Sequence, residues 1–527
     1  MTARRARPLR VVLIGYGPVG ARFVEEFAPA VANGLAELTV VGAESEDAYN
    51  RVLIADYAVG AANRERLEIT DTQASRATGV AIRLAEAALA IDRTRQEVVL
   101  GGDERLAYDR LIFATGARAN VPTVDGLQRA QRSRHDPVAS ASSLDHGSGP
   151  LPRGIVAMRD LNDAQAVSPV VAEGGTIVVL GAGVLGMEFA LAAAEHGADV
   201  IVVHHGETPM ARNLDEHGGR MLAQAARSFG IALAPHSRVE AVQLRYDSEG
   251  AQRFDAVLCA DGKYIRGDLL VLSCGVAPRI ELAATAGIDC SAGILVGSDL
   301  RTWTDPDIYA IGDCAQIAAP EDADVGGGVP GAPSGLIGPG WRQAEALART
   351  LAAEAGETST LTHIPSPERP AVVMLKAQGI DVVAGGIHDA QPWADNGPEV
   401  SLWLDPARGS YLKTVTQDGI LAGFVAVGMP RAGAELTLLF ERGSEVPTDP
   451  SAFLRLDAST AATTTTNEPM SPGTTVCWCN GVTVGRITEA AHSGNDTVEC
   501  IGRETRAGTG CGGCKGKIVE ILAAANQ

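Results

Sequence analysis

Residues 9–20 read LRVVLIGYGPVG, and the fold follows from them. The β-branched run 10–14 predicts a buried strand ending in the glycine loop Gly15-x-Gly17-x-x-Gly20. The apolar spacing of 21–32 predicts an amphipathic helix, and 38–42 a second strand. Strand, glycine turn and helix in that order suit a pyrophosphate. Glycines allow the tight turn and close backbone approach, and the helix N-terminus offers unpaired N–H groups at the positive end of its dipole. Glu44 follows the second strand, where a carboxylate accepts hydrogen bonds from a ribose.

The pattern returns downstream. A strand over 176–180 leads into Gly181-x-Gly183-x-x-Gly186, then into a helical run that carries Glu188 and ends near His196, and a strand over 199–203. Two such units imply two nucleotides. His204 and His205 end the second unit's strand where an Asp or Glu would favour NAD, so His204 is a candidate beside the adenosine ribose. Glu207 and Arg212 leave the choice between NADH and NADPH open. Residues 128–154, rich in Arg, Ser, Pro, Gly and His, read as a surface loop. A glycine- and proline-rich loop over 326–339 precedes a helical run over 341–354. Alternating segments at 371–375, 400–404 and 419–427 then predict a small mixed or antiparallel sheet. The expected class is α/β, with two Rossmann-like units, a small α+β unit and a small C-terminal metal-binding unit. The expected division is 1–126 with 296–355, then 155–295, 362–456, a linker over 457–473, and 474–527.

A chain of 527 residues is too long for one core. Its 44 Lys+Arg against 64 Asp+Glu give a formal charge of −20, which suits neither nucleic acid nor an anionic membrane. The N-terminal apolar run stops at Gly15, as a strand does and a signal peptide does not. No stretch reaches the roughly 20 apolar residues of a membrane helix. Of nine cysteines, five lie in the final part of the chain, four of them in close spacings that suit a metal in the reducing cytoplasm better than a disulfide framework.

Four of these form Cys477-x-Cys479 and Cys511-x-x-Cys514, the second pair within GTGCGGCKGK. Two close thiolate pairs can converge on one centre, and their spacing accommodates either zinc or an iron–sulfur cluster. Cys500 reads as a packed thiol, as do the scattered Cys259, Cys274, Cys290 and Cys314.

Two further segments, LIFATG over 111–116 and IYAIGD over 308–313, carry a resemblance to the pyridine nucleotide-disulfide oxidoreductase superfamily. The resemblance implies FAD on the first loop, with Thr115, Gly116 and Asp313 around it and the N-terminus of a helix near Trp341 facing the flavin. It puts NADH or NADPH on the second. The cysteine pattern resembles the bacterioferritin-associated-ferredoxin-like domain, which implies a [2Fe-2S] cluster. With YNRVL at 49–53 (including Arg51), GAGVLGMEFA, 210–215, GWRQA and MLK followed by Gly379 and Ile380, the whole resembles the flavoprotein part of assimilatory NAD(P)H nitrite reductases and the electron-transfer subunit of assimilatory nitrate reductases. Nitrite reductases of that kind continue into a sirohaem and [4Fe-4S] domain, for which no second cysteine quartet is present here. The expectation is therefore hydride uptake by FAD and single-electron export to a separate nitrate reductase catalytic subunit, or to a nitrite reductase component. A ferredoxin- or rubredoxin-type reductase serving an oxygenase is the enzymatic alternative, and a redox sensor or zinc-stabilised adaptor the non-enzymatic one. A homo-oligomer is compatible with each. The first cysteine is Cys259, so no thiol pair is expected beside the flavin in the early part of the chain.

Overall fold

The computed structural model describes residues 7–127, 151–323, 328–356, 372–377, 379–394, 397–447, 449–457, 472, 475–477, 482–509 and 514–525. Most of the loop expected over 128–154 and of the linker expected over 457–473 lies outside them. Two five-stranded sheets dominate. The first has the order Ile308–Ala310, Arg110–Phe113, Leu9–Ile14, Ala36–Val41 and Ala81–Arg83, and every pair in it is parallel. The second has the order Ala232–Ala234, Asp199–Val203, Thr176–Leu180, Leu269–Leu272 and Ile155–Val156, again parallel throughout.

Parallel strands are covered on both faces, and the side-chain alternation shows it. Leu9, Val11 and Leu13 enter one core with Phe23 and Phe27 of the helix Pro18–Ala32. Val12 and Ile14 enter another, with Leu111 and Phe113. Full burial of each such side chain contributes about 1.5–3 kcal/mol. In the second sheet Ile177 and Val179 face one core, and Val178 and Leu180 the other.

The first helix starts at Pro18, three residues before the apolar periodicity suggests, because proline suits the first helical position, where its missing N–H costs nothing. The second strand runs over Ala36–Val41, which leaves Glu44 beyond its end. The helix expected from Trp341 begins at Ile337, with Pro339 tolerated inside its first turn.

The expected small sheet is antiparallel, ordered Val372–Ala377, Ile380–Gly386, Ile420–Val427, Ser410–Gln417 and Glu399–Asp405. One face packs on the helix Pro430–Arg442. From the other, Tyr411 and Val425 join the core beneath the second parallel sheet. The C-terminal strands Thr475–Cys477 and Val482–Thr483 and the helices Val484–His492, Val498–Thr505 and Lys515–Ala525 enclose a small core of their own. Among the described residues no helix is long and apolar enough to cross a membrane.

Candidate functional site

The two glycine loops are near copies. Gly15 (φ +108°) and Gly181 (φ +114°) both occupy the left-handed region, and a Cβ would lie 2.2 Å from the Ala114 carbonyl oxygen in one and from the Ser273 carbonyl oxygen in the other. A Cβ at Gly20 would lie 2.3 Å from the Gly15 oxygen, and one at Gly186 2.2 Å from the Gly181 oxygen. These four glycines let strand, turn and helix close on one another. Gly17 and Gly183 differ from them, since a Cβ at either meets no atom of the described residues within 4 Å. Each is the N-cap of its helix, and neither helix has a side-chain cap. An uncapped helix start facing open space fits a pyrophosphate, so both loops pass this test for a dinucleotide.

Around the first loop the expected residues are joined to one another. Glu44 accepts from the Tyr49 hydroxyl at 2.9 Å and pairs with Arg51, whose guanidinium lies 4.8 Å from the Tyr49 ring centroid. Burial raises the Tyr49 pKa, which keeps this hydroxyl protonated as the donor. Arg51 Nη1 also donates to the Arg159 carbonyl at 3.0 Å. Arg159 Nη2 reaches Asp313 Oδ2 at 3.3 Å, and its Nε donates to the Ala117 carbonyl at 3.1 Å. Thr115 Oγ1 donates to the Arg279 carbonyl at 2.9 Å, while Gly116 (φ +68°) accepts from the Arg279 N–H at 2.9 Å. Gln343 accepts from the Gly312 N–H at 2.7 Å, tying the turn before Asp313 to the helix Ile337–Ala355. That helix also starts without a side-chain cap.

Arg159 escaped the sequence reading, and Gln343 entered it only within the GWRQA stretch, with no role at the site. The signal for Arg159 was the capping box Asp160/Asp163, which marks a helix start immediately after it.

At the second loop Glu188 is half-buried on the helix Val184–Glu195. His204 ends the strand as expected but is only 6% exposed. Burial, followed by the neighbouring His205 and His236, lowers its pKa. The exposed side chains at this strand end are His205, Glu207 and Arg212. An open cleft of about 180 Å³ is lined by Gly183, Val184 and Leu185 of the loop, by Gly275, and by Arg159. Through Arg159 it reaches the group around Asp313.

Cys477 and Cys514 are both buried within the one C-terminal core, which fits a shared centre. Cys479 and Cys511 lie outside the described residues. Cys500 is half-buried, and its sulfur accepts from Arg503 at 3.4 Å. Burial raises the thiol pKa of Cys274 and Cys290 to about 11, so these two are held protonated.

The segment leading into Cys511 meets the first nucleotide unit. Asn50 Nδ2 donates to the Thr509 carbonyl at 3.4 Å, and Arg506 Nη2 to Glu25 at 2.5 Å.

Residues 9–332 match the family model of pyridine nucleotide-disulphide oxidoreductases, and residues 475–524 that of the BFD-like [2Fe-2S] binding domain. The chain is 28% identical over 519 residues to the assimilatory nitrate reductase electron transfer subunit of Bacillus subtilis (strain 168), covering 97% of this chain and 59% of the relative. It is 28% identical over 522 residues to the nitrite reductase (NADH) large subunit of Escherichia coli (strain K12), covering 98% and 55%. It thus spans a little over half the length of these two relatives. A chain of the covalent putidaredoxin reductase–putidaredoxin complex superposes with a TM-score of 0.68 at 20% identity, covering 86% of this chain and 97% of that one. The ferredoxin reductase of the CYP199A2 system from Rhodopseudomonas palustris gives 0.66 at 21%, covering 85% and 100%. At such identities the likeness is one of fold.

Proposed function

The chain belongs to the pyridine nucleotide-disulphide oxidoreductase family, and from that premise we propose that it draws hydride from NADH or NADPH and delivers single electrons, through its C-terminal [2Fe-2S] centre, to an assimilatory nitrate reductase. When bound, FAD supplies the conversion between a hydride and single electrons, and the cluster carries them one at a time. The protein's task is positioning. The N–H groups behind Gly17 would take the FAD pyrophosphate, Glu44 its ribose, and Arg51, Thr115, Gly116 and Asp313 its remaining polar groups. Gly181, Gly183 and Gly186, with Glu188 and the strand end at His204, would hold the nicotinamide dinucleotide. Cys477, Cys479, Cys511 and Cys514 would ligate the cluster.

The observation that carries this reading is spatial. The cleft at Gly183 runs to Arg159 beside Asp313, and the turn that precedes Cys511 rests on Asn50, next to Arg51. That adjacency supports a reading in which the proposed donor site and the segment before Cys511 both border the proposed FAD site. A separate nitrite reductase component as acceptor is the second reading, favoured by the match to a nitrite reductase large subunit along nearly the whole chain. We assign the protein to a reducing compartment such as the cytoplasm.

The test is anaerobic addition of NADH or NADPH to the purified protein, followed by optical and electron paramagnetic resonance spectra. The flavin absorption should bleach and the signal of a reduced [2Fe-2S] cluster should appear. A protein that contains zinc, or whose cluster stays oxidised beside a bleached flavin, contradicts the proposal.

A further inference from the structure

The C-terminal unit shares no apolar core with the rest of the described molecule. Its buried residues, from Val476 to Leu522, form one cluster among themselves. Among the described residues it meets the first nucleotide unit through polar contacts that include Arg506 to Glu25 at 2.5 Å and Asn50 to the Thr509 carbonyl at 3.4 Å. Both partners on the C-terminal side belong to one turn. Arg506 caps the helix Val498–Thr505 in the left-handed conformation (φ +67°), its N–H bonded to the Gly502 carbonyl. Its own carbonyl accepts from the Thr509 N–H at 3.3 Å and from Thr509 Oγ1 at 2.9 Å. A non-glycine residue in this region is strained, and the turn bonds that hold it there fix the arginine relative to the chain running into Cys511.

The opposite side is equally anchored. Glu25 lies on the helix Pro18–Ala32 that begins at the glycine cradle, with Arg22 3.7 Å away. Asn50 is buried, its N–H bonded to the Leu67 carbonyl and its Oδ1 accepting from the Val52 N–H.

Resting on the functional reading above, we infer that Glu25 and Arg506 are positioning residues for electron transfer within the chain. Their ion pair, with Asn50 and Thr509, seats the turn over 506–509, two residues before Cys511 in the sequence, against the FAD-binding unit. Electron transfer falls steeply with the separation of the two centres, so the seat controls the step from flavin to cluster. Each contact is modest in strength, and a partly exposed ion pair weakens with salt. Since no buried apolar cluster spans the contact among the described residues, the seat can release and form again within a catalytic cycle.

The test compares the full-length wild type with Glu25→Gln, Glu25→Arg, Arg506→Glu and the double exchange of Glu25→Arg with Arg506→Glu. After anaerobic mixing with NADH, reduction of the flavin and turnover with ferricyanide should match the wild type in all of them. The rate of cluster reduction should fall by about tenfold in each charge reversal, less in Glu25→Gln, and return in the double exchange. High salt should slow the wild type toward the reversed variants. Hydrogen exchange, read on peptides covering 18–32 and 498–509, should accelerate in the single reversals and slow again in the double exchange. Charge reversals that leave both the cluster rate and the exchange unchanged overturn the seat. A wild-type cluster that NADH and NADPH do not reduce overturns the functional reading instead.

Discussion

Arg159 and Asp313, 154 positions apart, meet as an ion pair at 3.3 Å, Nη2 to Oδ2. Desolvation lowers the arginine's pKa, and the facing carboxylate opposes the shift. Arg159 thus brings a positive charge to the place where the proposed FAD site and the Gly183 cleft adjoin. Arg159→Leu should cost about 1–2 kcal/mol of stability, below the figure for a fully buried pair because both side chains are about a quarter exposed. It should also release flavin on dilution. Denaturant unfolding and fluorescence of freed FAD check this, and wild-type values in both would remove Arg159 from the site.

The glycines divide into two kinds with opposite phenotypes. Gly183→Val enters open space, so the protein should fold and keep FAD while kcat/KM for the nicotinamide donor drops by roughly a hundredfold or more. Gly181→Ala combines a φ of +114° with a Cβ 2.2 Å from a backbone oxygen, and should lose roughly 3 kcal/mol or more of stability. Loss of FAD from Gly183→Val would mean that the two loops are assigned the wrong way round.

His204 and His205 should also separate. Burial depresses the His204 pKa in the folded protein. The neutral form is then favoured by folding, so this contribution is complete above the ordinary histidine value of about 6.5 and is lost as pH falls below it. The denaturation midpoint should drop from neutrality to about pH 5.5, less steeply in His204→Leu. His205→Glu places a carboxylate at the exposed strand end and should move the ratio of kcat/KM values toward NADH by repelling a 2′-phosphate. An unchanged ratio would place the adenosine elsewhere.

Lys413 and Asp215 form a buried ion pair at 3.1 Å, with side chains 3% and 9% exposed. The Tyr411 hydroxyl donates to the same Asp215 oxygen at 2.6 Å, and Lys413 to the His388 carbonyl at 2.7 Å. Asp215 also caps the helix Glu216–Ser228. This pair fastens the small antiparallel sheet to the second nucleotide unit. Lys413→Met should cost about 3–5 kcal/mol by leaving the carboxylate uncompensated, and adding Asp215→Asn should recover part of it. Urea unfolding of the variants measures both, and a loss under about 1 kcal/mol would contradict the role.

The fold class and both glycine loops were legible because each rests on a local pattern, a β-branched run closed by glycine. The strands Thr176–Leu180 and Asp199–Val203 fall where the apolar runs put them. Helix starts were misread where Pro18 and Pro339 resembled loop residues yet sit in first turns. Short antiparallel strands such as Ala90–Asp92, Glu97–Val99 and Arg105–Ala107 carry too few residues for a period to show. The long-range partners left no trace at all, since no local pattern ties Asn50 to Thr509 across 459 positions. The burial of His204 likewise depends on what packs over the strand end.

Export of electrons through the C-terminal cysteines sets this chain apart from a flavin that reduces its acceptor directly. The decisive measurement is turnover of Cys511→Ser combined with Cys514→Ser, with NADH or NADPH as donor and either ferricyanide or purified assimilatory nitrate reductase as acceptor. FAD should be retained, the ferricyanide rate should stay close to wild type, and nitrate reduction should fall by about a hundredfold or more. Full-rate delivery to nitrate reductase without those two thiols would mean that the flavin reduces its partner directly, and would contradict the account.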